Sequence, residues 1–481
     1  MAFSRAPAAT YDRRWLALIV VCLGSLMIVL DGTIVNVALP SIRKDLGFSE
    51  ANLAWVVNAY MLTFGGFLLL AGRLGDRFGH RRLFLLGLTL FTLASLGCSF
   101  ATTQSWLIGA RAIQGFGGAV VSSVALSILM TLFTDPADRA RAMGVFGFVS
   151  AGGGSLGVVL GGVLTGTLNW HWIFLVNVPV GVLVFALSLM LLPAPHAQRP
   201  EGPLDFAGAA TVTAALMVAV YAIVTGTPAL LIVSLVLVTL FLGIESRVRS
   251  PLVPLGLFRY RNLTVANVAS ILWSAGFTAW FFLSALYLQL VLGYTPLQVG
   301  LAFLPGSLIM GALSLGVSAR LVMRFGIRTP LAAGLLLCTA GLLLLAAAPV
   351  GGHFVTDVLP SMVLIGFGGG IAFNPILLAA TDGIGPADSG LVAGVVNSAF
   401  MMGGALGLAI LASAAGARTA RLLAAGHGQL AALTAGYHAA FILGAMFSAA
   451  AAAAGVALLR VSPRTEPTAR EFEERSIPEP T

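Results

Sequence analysis

Apolar runs of roughly 20 residues alternate with short polar stretches along most of the chain. A run of that length suits a helix crossing the hydrocarbon core of a bilayer, whereas membrane-spanning strands alternate apolar and polar residues in segments of roughly 10. Fourteen helices are predicted, at 15–39, 52–72, 83–101, 106–132, 141–165, 172–192, 205–224, 229–245, 262–290, 297–319, 329–349, 358–380, 390–415 and 435–459. Arg13 and Arg14 precede the first run as in a signal peptide. That run is too long for one, contains Asp31 and lacks a small-residue cleavage site, so it reads as the first helix.

The polar stretches carry a repeat. Arg73-Leu74-Gly75-Asp76-Arg77-Phe78-Gly79-His80-Arg81 returns 247 residues later as Arg320-Leu321-Val322-Met323-Arg324-Phe325-Gly326-Ile327-Arg328, with six of nine positions identical. The first copy follows the second apolar segment and the other follows the tenth. A shift of eight helices implies two related six-helix bundles with two inserted helices between them. The expected organisation is a cytoplasmic segment at 1–14, a bundle at 15–192, the inserted helices and linkers at 193–261, a second bundle at 262–460 and a disordered polar tail at 461–481.

Composition agrees with a membrane protein: 58% of the 481 residues are hydrophobic and 9% charged, against about 25% charged in a soluble domain. The net charge of +8 gives no nucleic-acid face, because the basic residues lie in short loops. Twenty-one of the 26 basic residues fall on one side of the fourteen-helix plan, and Arg43, Lys44, Arg418 and Arg421 on the other, which predicts both termini in the cytoplasm. The near-exclusive use of arginine suggests a GC-rich bacterial genome. Cys22, Cys98 and Cys338 lie scattered in apolar runs and offer neither a disulfide framework nor a metal site. No nucleotide-binding loop, zinc pattern or nucleophile elbow is present, so no enzyme activity, metal or cofactor is expected.

Asp31 is the one acid deep within an apolar segment, about 24 Å of helix from Trp15 and about 14 Å from Pro40. A carboxylate there costs at least a few kcal/mol unless it faces a cavity or a partner. Burial favours the protonated acid and a neighbouring cation favours the carboxylate, which makes Asp31 a candidate proton carrier; the alternative is a structural aspartate. Arg111 is the one basic residue inside a segment and shares a helix face with Gln114, Gly115 and Gly118, so pairing with Asp31, directly or through Gln114, is expected. Gly153, Gly157 and Gly161 line one face of the fifth segment and predict a close helix contact. In the ninth, Trp273, Phe277, Trp280, Phe281 and Tyr287 share a broad stripe that could bind a flat lipophilic ligand or simply face lipid and neighbouring helices. Asn374 and Asn397 are polar candidates for the same cavity.

Taken together, these residues resemble the major facilitator superfamily and, within it, the fourteen-helix drug:proton antiporter branch. GRLGDRFGHRR at 72–82 is similar to the superfamily's loop signature, and LDGTIVNVALPSI at 30–42 to the branch's first-helix signature. Arg111-Ala112-Ile113-Gln114-Gly115 resembles the fourth-helix signature, whose arginine is implicated in proton transfer, and Trp172-Ile173-Phe174 through Asn177, Pro179 and Gly181 is typical of the branch. In Gly157-Val158-Val159-Leu160-Gly161-Gly162 valine stands where the antiporter signature has proline.

The resemblance implies an all-α membrane protein working by alternating access, driven by a proton gradient, with Asp31, Arg111 and Gln114 coupling the proton. It implies a cytoplasmic latch of Gly72, Asp76, Arg77, Gly79 and Arg81, with Asp76 near Ser389-Gly390 at the start of the thirteenth helix, where the helix dipole favours an anion. It further implies a multi-pass protein of a bacterial inner membrane, a monomer, exporting a lipophilic drug or antibiotic. A proton-coupled importer of a small metabolite on the same fold is the alternative. A receptor or enzyme would need a soluble domain that no loop is long enough to hold.

Overall fold

A computed structural model describes residues 8–192, 204–248, 250–384 and 389–460. Each of the fourteen predicted segments falls on helix, and the described residues contain no strand. The helices are α1 (Ala8–Leu46), α2 (Trp55–Phe78), α3 (His80–Ser99), α4 (Gln104–Leu132), α5 (Pro136–Thr167), α6 (Asn177–Leu191), α7 (Phe206–Thr225), α8 (Ala229–Glu245), α9 (Arg261–Leu286), α10 (Pro296–Ala312), α11 (Arg328–Leu345), α12 (Leu359–Thr381), α13 (Ser389–Ala424) and α14 (Gln429–Leu458). Twelve of the helical spans are long and apolar enough to cross a membrane; α8 and α10 are apolar but shorter. α10 continues past a wide π turn at Leu313–Val317 into Ser318–Phe325, which carries the second copy of the repeat. The predicted tail and the linker around 193–203 lie outside the described residues.

The packing repeats with the sequence. α1 packs on α5 and α6, α3 on α4 and α6, and α2 on α4; eight helices later α9 packs on α13 and α14, α11 on α12 and α14, and α10 on α12. The repeated loop recurs in detail. Gly79 and Gly326 hold equivalent positions at φ of 93° and 72°, a left-handed region that glycine enters without a Cβ penalty. Arg81 donates to the carbonyl of Leu189 near the end of α6, and its counterpart Arg328 donates to that of Val456 near the end of α14. Each arginine thus satisfies a helix-end carbonyl that lacks an intrahelical partner.

Two seams join the sets of helices: α5 against α10 and α2 against α13. The hairpin α7–α8 lies outside, with α7 resting on both α2 and α13. Its turn uses Gly226 in the left-handed region. At the end holding the start of α10, the seam is tight. A Cβ on Gly162 would stand 2.7 Å from the Pro296 carbonyl oxygen, one on Gly300 would stand 2.8 Å from that of Val158, and Gln289 donates to the Val37 carbonyl at 2.8 Å. At the opposite end, which holds the repeated loop, Gly72, Gly144, Gly147, Gly316 and Gly390 have no neighbour within 4 Å of a Cβ position. The α5–α10 seam is therefore tight at the start of α10 and looser beside Gly144 and Gly147, toward the end that holds the repeated loop, hereafter the open end.

Candidate functional site

The first set of helices encloses a polar network in an apolar interior. Asp31 on α1 is fully buried and Arg111 on α4 is 1% exposed. Arg111 Nη1 donates to Asp31 Oδ2 at 2.5 Å and to Gln114 Oε1 at 2.7 Å. Gln114 Nε2 donates to Asp31 Oδ1 at 2.8 Å, so direct pairing and bridging through Gln114 coexist. Arg111 Nε donates to the Val56 carbonyl of α2, and the guanidinium lies 4.4 Å from the centre of the Tyr60 ring. A carboxylate and a guanidinium cancel in charge, and both carboxylate oxygens accept hydrogen bonds, which helps a buried ion pair to be tolerated. Removing one member of such a pair costs about 3–5 kcal/mol.

Two partners were not singled out from the sequence as polar ligands. Asn177, at the start of α6, donates to Asp31 Oδ1 and to Ser95 Oγ, both at 3.0 Å. Ser95 on α3 donates onward to the Phe174 carbonyl at 2.9 Å. Asn177 stands in one of the quoted family motifs, which is the signal that could have marked it; Ser95 has none. α5 presses on the α1 segment that carries Asp31. A Cβ on Gly157 would stand 2.1 Å from Thr33 Oγ1 and 2.8 Å from the Leu30 carbonyl oxygen, and one on Gly161 would stand 2.6 Å from the Ile34 carbonyl oxygen. Gly153 faces Leu26 and Val29 of the same helix. Gly162 turns away from α1 toward α10, so the glycines serve two contacts.

The aromatic stripe of α9 divides. Trp273 joins Phe373 of α12 and Phe400 of α13, with ring centres 6.3 and 5.5 Å away, and lines a cavity of about 640 Å³, part of it open to solvent. Ser270, Ile376, Leu377, Ala393, Val396 and Asn397 complete the lining, which holds no charged side chain. The α12 and α13 residues lie one to three turns from the helix ends at the open side. Asn397 is exposed there, its amide able to donate and accept. Phe277 and Phe281 are half-buried and extend the aromatic contacts through Trp280 to Phe303 of α10. Trp280 and Tyr287 are buried in helix packing, and the Tyr287 hydroxyl donates to the Pro349 carbonyl at 2.7 Å. Asn374 donates to the Ser314 carbonyl at the π turn, supporting bent backbone rather than lining this cavity. Phe373 and Phe400, which do line it, escape the sequence reading because they look like any other apolar residue in their helices.

The expected latch residues lie at the end of α2 and the start of α3. Asp76 is exposed and bonds His80 Nε2 at 3.0 Å, one helical turn on. Arg77 is exposed beside Phe78, and Arg81 holds α6 as described. The contact expected at Ser389-Gly390 involves a Ser389 side chain outside the described residues.

Comparison with known proteins agrees with this architecture. The family model described as Major Facilitator Superfamily matches residues 21–408. The chain is 39% identical over 422 residues to a puromycin resistance protein of Streptomyces alboniger, covering 86% of this chain and 84% of that one. It is 38% identical over 416 residues to a cephamycin export protein of Amycolatopsis lactamdurans, covering 84% and 85%. Among solved structures, an auto-inhibited peptide transporter of the POT family superposes with a TM-score of 0.67 at 16% identity, covering 94% of this chain and 99% of that one, a likeness of fold alone.

Proposed function

The chain belongs to the major facilitator superfamily, and from that premise we propose that it exports a lipophilic drug or antibiotic across a bacterial cell membrane in exchange for protons. Relatives named for puromycin resistance and cephamycin export support the drug-export class. The observation that carries the site reading is the pairing of a neutral aromatic cavity with a separate, fully occluded Asp31–Arg111 network.

In the proposed arrangement all fourteen apolar helices cross the bilayer, with both termini in the cytoplasm, as the distribution of arginines supports. The open end then faces the cytoplasm, and substrate enters the cavity beside Trp273, Phe400 and Asn397. No acidic side chain lines that cavity, so a cation finds no direct counter-charge and neutral compounds are favoured. Asp31 acts on the helices instead of on the substrate. As a carboxylate it ties α1 to α4 and α6 through Arg111, Gln114 and Asn177. Taking up a proton from the outside removes the charge that Arg111 balances and weakens that tie. The α1–α5 glycine contact and the α5–α10 seam then carry the change to the second set of helices.

Asp31→Asn tests the coupling. Drug accumulation in inside-out vesicles with an imposed pH gradient should lose its uphill component, while substrate binding and downhill exchange persist. Continued uphill, gradient-sensitive transport by this variant would assign the proton to another group. In the same vesicles a neutral aromatic substrate should be carried in preference to a dicationic one of similar size. A metabolite importer would instead fail to confer resistance on a drug-sensitive host.

A further inference from the structure

Four charged side chains are buried among the described residues: Asp31, Arg111, Asp205 and Glu245. The first two neutralise each other, and the second two are both acids, each 3% exposed. They meet where the inserted hairpin joins α2. Asp205 begins α7, and its Oδ1 accepts from the Gly208 amide at 2.7 Å. Glu245 ends α8, and its Oε2 accepts from the Val253 amide at 3.3 Å. Each carboxylate keeps one oxygen, Asp205 Oδ2 and Glu245 Oε1, buried without a hydrogen-bond partner. Leu252 packs against Leu70 of α2 and Ala209 of α7, closing the junction with apolar surface.

One guanidinium serves both acids. Arg73, from the end of α2, lies within electrostatic range of Asp205, Glu245 and Asp76. Its Nη1 and Nη2 donate to the carbonyls of Ser250 and Pro251, in the segment that follows α8. Arg320, its counterpart in the second copy of the repeat, is exposed. The other two arginines of the repeat behave alike in both copies, so the diversion of Arg73 accompanies the hairpin.

With both acids ionised, the buried pair exceeds the charge of Arg73 by one, and two lone oxygens stay unsatisfied in a site of low dielectric. That is a state proteins relieve by binding a proton. Asp76, Arg77 and Arg247, the other charged groups at this end of α2 and α8 among the described residues, are exposed. We infer that Asp205 and Glu245 bind a single proton between them. In that state one of the two carboxyls is neutral, and Arg73 stays on the Ser250 and Pro251 carbonyls, fastening the segment after α8 to α2. Loss of the proton to water at the open end leaves two adjacent carboxylates. These repel each other and draw Arg73 from the carbonyls, releasing the segment after α8. The segment after α8 is thereby loosened beside the α2–α13 seam, on which α7 rests.

Hydrogen–deuterium exchange of the full chain in lipid nanodiscs tests this without measuring transport. Protection of the Leu252 and Val253 amides, corrected for intrinsic exchange, should fall roughly tenfold as pH rises from roughly 5 to 9, the range over which such a carboxyl pair releases a shared proton. Glu245→Gln and Asp205→Asn, which carry neutral amides and keep the acceptors for Val253 and Gly208, should hold the acid-form protection throughout. Asp31→Asn should retain the step. The inference is overturned if the wild-type protein shows no step, if the step survives in either junction variant, or if it disappears in Asp31→Asn. Low protection at every pH in the junction variants would also overturn it, because the acids would then hold the loop as carboxylates.

Discussion

Asp31 accepts from three side chains on two helices, and this sets what its ionisation does. Asn177 contributes one of those bonds from α6. A hydrogen bond to a charged group is worth about 1.5–3 kcal/mol, so removing it loosens the tie between α1 and α6. Asn177→Ala should therefore lower uphill export roughly tenfold, with near-normal expression. Asn267→Ala offers the comparison, since Asn267 donates within α9 to the Leu263 carbonyl and belongs to the other set of helices. If both variants export at the wild-type rate, Asn177 serves packing alone.

At the scale of the helices, the decisive contact is α5 on α1. Gly157 lies where any side chain would meet Thr33 Oγ1 and the Leu30 carbonyl oxygen, and the carbonyl belongs to a helix backbone that cannot give way. Gly157→Ala should push α5 from the Asp31 segment, at a cost of about 1–3 kcal/mol from overpacking, and strongly reduce transport. Gly144, on the same helix near the open end, has space around it. Gly144→Ala should be neutral or should stabilise by up to about 1 kcal/mol, the difference in helix propensity. Thermal unfolding in detergent, read beside export, separates the two. Equal effects would mean that close approach of α1 and α5 has no special role. Valine at 158 in place of the expected proline fits the same contact: α5 runs unbroken from Pro136 to Thr167, and the Val158 carbonyl is the surface on which Gly300 of α10 rests.

For the whole molecule, the proposed transport by alternating access makes the two seams and the open end one of two states. The native cysteines, Cys22, Cys98 and Cys338, are all buried, so single introduced cysteines can report on exposure. Asp76→Cys, on an exposed position at the open end, should react quickly with a maleimide, and Val37→Cys, fully buried at the closed end, slowly. A gradient that drives the opposite state should reverse the order, with rates changing at least about tenfold for a shift of about 1.4 kcal/mol between the states. Rates that do not respond to the gradient would exclude exchange between two such states.

The helices, their arrangement in two related sets and the identity of the buried ion pair are legible in the residues alone. Each of these is enforced locally. A bilayer demands an apolar run of a certain length, a repeated loop restores the same glycine and arginine geometry in both halves, and a charge inside such a run is too costly to go unnoticed. Long-range packing sets which neutral groups complete the Asp31 network, which aromatics face the cavity, and where Arg73 finds its partners. Ser95 carries no charge and costs little inside a helix, so nothing in its own segment marks it. The stripe on α9 identifies a face, but whether Trp273 borders open space while Trp280 is covered depends on neighbours far away in the chain. Arg73 matches Arg320 in sequence and differs because a hairpin inserted elsewhere brings Ser250, Pro251 and two buried acids to it, a difference that arises from long-range packing and has no local signature.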